Sequence, residues 1–137
     1  MTGIKGVGAL TALAFILVLE DPSRFDKSSQ VGSFLGLTPR RDQSGETDKQ
    51  LRITKAGNPY LRRLLVGAAQ YILGPFGEDC NLRRFGQRIS DRGGKNGKRR
   101  AVVAVARKLA VLLHHLWVTG EIYDPLYRPV RCVAKAA

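Results

Sequence analysis

NPYLRRLLVGAAQYILGP, residues 58–75, carries the full signature of one amphipathic helix. Asn58 is a good cap, and Pro59 suits the first helical position, where the N–H it lacks is not needed. Leu61, Leu64, Leu65, Ala68, Ala69 and Ile72 then recur at helical spacing, and Gly74-Pro75 stops the run. A chain built around such a stripe must bring other helices to cover it.

The flanking segments supply them. Asn81 to Asp91 reads as a short basic helix carrying Leu82, Phe85 and Ile89, and a glycine-rich basic turn, Arg92 to Gly97, follows. A long helix, basic at its start and apolar after it, then runs from about Lys98 to Thr119 with Gly120 past its end. Towards the N-terminus, Thr2 to Gly8 is a turn region, and Ala9 to Leu19 is a helix apolar enough to be buried on most sides. A serine-capped short helix places Val31, Phe34 and Leu35 on one face. No β-strand pattern of any length appears, and Thr38 to Gly57 predicts an exposed polar loop with at most a short hairpin around Gln50 to Thr54. The expected fold is all-α, a single compact domain of about five helices over residues 1–125, with a tail at 126–137.

Charge narrows the partner. Among 137 residues, 23 Lys and Arg stand against 11 Asp and Glu, a net +12, which favours a polyanion, nucleic acid first. Cys80 and Cys132 form no CxxC pair and read as reduced thiols. The apolar stretch Val7 to Leu19 lacks the flanks of a signal peptide and is too short for a bilayer, which takes about 20 residues. A cytoplasmic protein with no membrane partner is expected.

Three segments can carry chemistry. Ile4-Lys5-Gly6-Val7-Gly8 suits a tight turn whose glycines let the backbone approach a phosphate, with the next helix aiming its N-terminal amides at it. This turn is similar to the hairpin of helix-hairpin-helix DNA-binding motifs, and it makes Lys5, Gly6 and Gly8 candidate DNA contacts. Ser44 lies among Arg40, Arg41, Arg52, Lys55, Arg62 and Arg63. A serine attacks a phosphate only where a base takes its proton and cations stabilise the developing charge, and here the cations are present. By spacing alone, Ser44-Gly45 is equally an ordinary turn dipeptide. Lys98, Arg99 and Arg100 at the start of the last helix oppose its dipole, so a phosphate partner would relieve a local cost. His114 and His115 point about 100° apart on a helix and do not form a metal-binding pair.

Taken together, GVG-x-x-TA at residues 6–12, LGLTPR at 35–40, Ser-Gly five residues after that proline, RITKAGN-x-x-LRRLLV from Arg52 and GK-x-x-AVVAVARKL from Gly97 resemble the C-terminal domain of insertion-sequence family 110 transposases (the 116/110/902 group), relatives of the pilin-gene DNA invertases. The resemblance implies a serine that attacks a DNA phosphodiester, matched here by Ser44, with Arg40, Arg52, Lys55 and Arg62 on the family's basic positions. Gln43 departs from it, because many members carry a second serine there.

The resemblance also places four metal-binding carboxylates in a RuvC-like N-terminal half, with Mg²⁺ expected there and no cofactor or metal in this chain. Met1 stands almost at the start of the matching domain, so the expectation is half an active site: a truncated copy, a split product, or a piece that pairs with a nuclease half or with its own copies. DNA is the expected partner, and a structured guide RNA is a further one that the resemblance implies. The competing reading is a non-catalytic nucleic-acid-binding module or an inactive remnant.

Overall fold

A computed structural model of the chain describes residues 3–44 and 47–127, with the backbone alone for 40–44 and 47–52. Five helices carry the fold: α1 Ala9–Leu19, α2 Gln30–Phe34, α3 Pro59–Leu73, α4 Asn81–Arg92 and α5 Gly97–Thr119. The helical class and the helix count agree with the sequence reading. What differs is the polar segment before α3, which forms a two-stranded antiparallel ribbon, β1 Pro39–Ser44 with β2 Thr47–Ile53, where the pattern predicts mostly loop.

α5 is the hub and packs on α2, α3 and α4. Its buried line of Ala101, Val105, Leu109 and Leu113 is a helical stripe, and each leucine fully removed from water contributes about 1.5–3 kcal/mol. By length and composition the helix is apolar enough to cross a membrane; here α2, α3 and α4 cover part of that surface. α3 starts as its cap residues dictate: the Leu61 N–H donates to Asn58 Oδ1 at 3.1 Å, and Leu61, Leu65, Ala68, Ala69 and Ile72 face the core.

α1 departs from its expected burial. Thr11, Ala12, Ala14, Phe15 and Leu19 face inward, and Phe15 meets the edge of Trp117 at 6.3 Å between ring centroids. Leu10, Leu13 and Leu17 are 59%, 55% and 65% exposed. A helix that is apolar all round covers only the side its neighbours reach, and no described element lies over the outer one.

His114 is structural. Its ring nitrogens lie 2.8 Å from Ser28 Oγ and 2.9 Å from the Pro22 carbonyl, which ties the segment before α2 onto α5. Past Gly120, which ends α5 in the left-handed region at φ 69, the Asn81 backbone N–H donates to the Pro125 carbonyl at 2.8 Å. The Asn81 side-chain amide donates to the Tyr127 carbonyl. The chain therefore stays docked on the start of α4 through Tyr127, and the rest of the expected tail, with Cys132, lies outside the described residues.

Candidate nucleic-acid interface

The ribbon rises from a point where two backbone segments cross. Gly36 has φ +72, and a Cβ there would lie 2.4 Å from the Ala56 nitrogen; a Cβ on Gly57 would lie 2.4 Å from the Phe34 carbonyl oxygen. Side chains are therefore excluded from both strands of the crossing, which is why each carries glycine. The Lys55 N–H donates to the Gly36 carbonyl at 3.1 Å and the Thr54 N–H to the Thr38 carbonyl at 3.0 Å, so the ladder begins at once above it. Lys55 itself has φ 54, uncommon for a residue with a side chain.

Arg62 locks this junction from α3. Its Nη1 donates to the carbonyls of Leu35 and Gly57, both at 3.3 Å, one from each crossing segment. The sequence reading gives Arg62 to DNA; the structure places it half-buried, holding the foot of the ribbon. Arg63, one residue on, is exposed.

Between the ribbon's foot and α5 lies an open groove of about 610 Å³. Leu37, Ile53, Ile89 and Val103 form its apolar floor, and Lys55, Arg99, Arg100 and Arg107 supply its cations. No carboxylate is among its described lining residues. Three of the expected contacts, Lys55, Arg99 and Arg100, are thus brought together from segments 44 residues apart. Arg107 was missed, although it falls seven residues after Arg100, on the same helix face. Ile89, from α4, has no sequence signal that distinguishes it from a core residue.

Other candidates lie elsewhere. Lys98 sits on the opposite flank of α5, in a recess with Gln70, Leu73 and Gln87. Lys5 makes an exposed ion pair with Glu78 at 3.0 Å, and this carboxylate, by hydrogen bond and charge, holds the ammonium pKa above its ordinary value. Gly6, at φ 96, packs against Ala68 and Tyr71 of α3, whereas Gly8 caps α1 with open space around it. Ser44 is the last residue of β1, paired with Thr47 at the far end of the ribbon. The side chains of Ser44, Arg40, Arg41 and Arg52 lie outside the described residues.

On α4, Lys108 of α5 sits 3.9 Å over the Phe85 ring, and partial burial followed by repulsion from Arg88 pushes its pKa down. Asp79 and Arg84 form a paired link at the start of the same helix, and the guanidinium holds the carboxyl below the usual carboxylate range. Among the described residues no three His, Cys, Asp or Glu side chains converge.

Comparison with known proteins bears on this geometry. Residues 1–79 match the model of the family described as Transposase IS116/IS110/IS902. The chain is 36% identical over 121 residues to the transposase for insertion sequence element IS1111A of Coxiella burnetii, covering 88% of this chain and 32% of that protein. It is 36% identical over 125 residues to a putative transposase of Sinorhizobium fredii, covering 90% and 31%. Against the pilin gene-inverting protein of Moraxella lacunata, identity is 31% over 122 residues, covering 88% and 37%. The chain spans about a third of the length of these relatives.

Proposed function

The chain belongs to the IS116/IS110/IS902 transposase family, and from that we propose that it acts in DNA transposition or inversion as the domain that binds DNA and presents Ser44 as the nucleophile. The observation that carries the reading is the cationic groove at the foot of a ribbon that ends in Ser44. Phosphates held by Lys55, Arg99, Arg100 and Arg107 would fix a DNA strand alongside the ribbon, and Arg62 with the glycine crossing would set where its far end lies. Catalysis then needs a partner: a RuvC-like half bearing carboxylates and Mg²⁺, from a separate chain or from the remainder of a longer one. A structured RNA partner and association between copies belong to the same proposal. The exposed outer face of α1 is compatible with association.

The binding half of the reading is tested by salt. Each phosphate contact that displaces a counterion contributes roughly −0.9 to the slope of log affinity against log salt. The chain is expected to bind duplex DNA with a steep slope, and Arg99→Ala, Arg100→Ala and Arg107→Ala together to flatten it by about 3. Lys98→Ala, on the other flank, is expected to alter it by less than about 1. A salt-insensitive affinity measured by fluorescence anisotropy, or a triple variant with the wild-type slope, would overturn the groove as the DNA footprint.

A further inference from the structure

We infer that the groove between the ribbon's foot and α5 is a seat for an unpaired, single-stranded stretch of nucleic acid, with one or more unstacked bases laid on Ile89 and Val103 and the flanking phosphates held by Arg99, Arg100 and Arg107. This rests on the nucleic-acid reading above and says which form of the polymer occupies the site. A duplex offers a protein phosphates and groove edges, while its flat base faces are stacked inside; an exposed basic helix is sufficient for such contacts. An apolar floor beneath a cationic rim has a different complement, a chain with both apolar faces and charged links, which is a strand with its bases splayed out. Bases lie on aliphatic and guanidinium surfaces alike, and Arg99, Arg100 and Arg107 can supply the second of these as well as charge. The volume, about 610 Å³, falls in the range of pockets that enclose small organic ligands, about 300–1,000 Å³.

Position strengthens the case. The groove lies at Pro39 and Ile53, which pair with each other at the foot of the ribbon, and Ser44 is five residues further along β1. At about 3.4 Å per residue that separation is roughly 17 Å. Even at the stacked spacing of 3.4 Å a strand leaving the groove would span it in about five nucleotides, and an unstacked strand needs fewer. The groove would thus hold the unpaired part of a strand whose phosphate lies at the ribbon's end.

The test compares four fluorescent probes on the intact chain at one salt concentration: a single DNA strand, the same strand with abasic sites through its centre, the same sequence as RNA, and the DNA duplex. The ordinary strand is expected to bind about tenfold tighter than the abasic one, which keeps every phosphate and lacks only the bases. Ile89→Asn and, as a milder change that keeps the shape, Val103→Thr are expected to shrink that difference, with thermal melts checking that both variants stay folded. The abasic comparison needs no variant, so a folding defect does not obscure it. Base-dependent binding of the DNA strand supports the proposal, and the tighter of the ordinary DNA and RNA strands names the source. Equal affinity for ordinary and abasic strands overturns it while duplex binding survives; loss of binding to every probe overturns the nucleic-acid reading itself.

Discussion

Ser44→Ala, mixed with a metal-bearing nuclease half of the family, Mg²⁺ and target DNA, is expected to give no covalent protein–DNA adduct where the wild-type chain gives one. In the proposed step the serine Oγ forms a bond to phosphorus as the strand's own ester oxygen leaves. The hydroxyl proton passes to a base, and the departing oxygen takes one up. The pairing of residue 44 with Thr47 runs through the main chain, which alanine keeps. Duplex affinity should therefore stay within about twofold of wild type, since neutral Ser44 displaces no counterion. Denaturing gel electrophoresis of labelled DNA reads the result. An adduct formed by Ser44→Ala, or none formed by the wild-type chain under these conditions, sinks Ser44 as the nucleophile.

The largest stability loss is expected at the crossing. Gly36→Ala places a methyl carbon 2.4 Å from the Ala56 nitrogen and 2.7 Å from the Lys55 carbonyl carbon, in a backbone conformation of φ +72. Left-handed backbone alone costs a side-chain-bearing residue about 1–2 kcal/mol, and overpacking against main chain adds about 1–3 kcal/mol. The neighbour is backbone tied on both sides, so it has little room to move. A loss of about 3 kcal/mol is expected, a fall in Tm of roughly 10 °C for a domain of this size. Gly67→Ala is the contrast: Gly67 lies in α3 with nothing within 4 Å of an added Cβ, so the change should stabilise by about 1 kcal/mol through helix propensity. Thermal melts that show the two variants moving Tm in the same direction would contradict this account of the crossing.

The helices were legible because each carries its own local rule. Asn58-Pro59 at the start of α3 and Gly120 after α5 are decided within a few residues. The ribbon was not, since RRDQS holds no apolar residue and TDKQLRI alternates only over Gln50 to Ile53, and its base is fixed by Gly36 meeting Ala56 and Gly57 meeting Leu35, contacts no local pattern announces. The same distance hides Arg62. Beside Arg63 it reads as one of a pair of surface cations, yet a 100° step around α3 turns it toward the Leu35 carbonyl, 27 residues away in sequence. In the groove, Lys55, Arg99 and Arg100 were legible as charge, while the apolar floor that gives those charges a shape comes from α4, α5 and the residues at the ribbon's foot. Arg107 could have been found by following Arg100 and Val103 along one helix face. The outer side of α1 was misread because apolar composition predicts burial without saying which neighbours exist to provide it.

At the glycine crossing neither segment can shift past the other without a backbone collision, so the junction is the fixed zero of a ruler. β1 starts three residues past Gly36, at Pro39, and runs six residues to Ser44. One residue inserted or removed along it would move the serine about 3.4 Å and turn the following side chains to the opposite face, with the helical core unchanged. For the proposed nucleophile, the distance from the crossing is thus written in the length of a strand, and single-residue insertions or deletions are expected to reset it while the rest of the fold stays as it is.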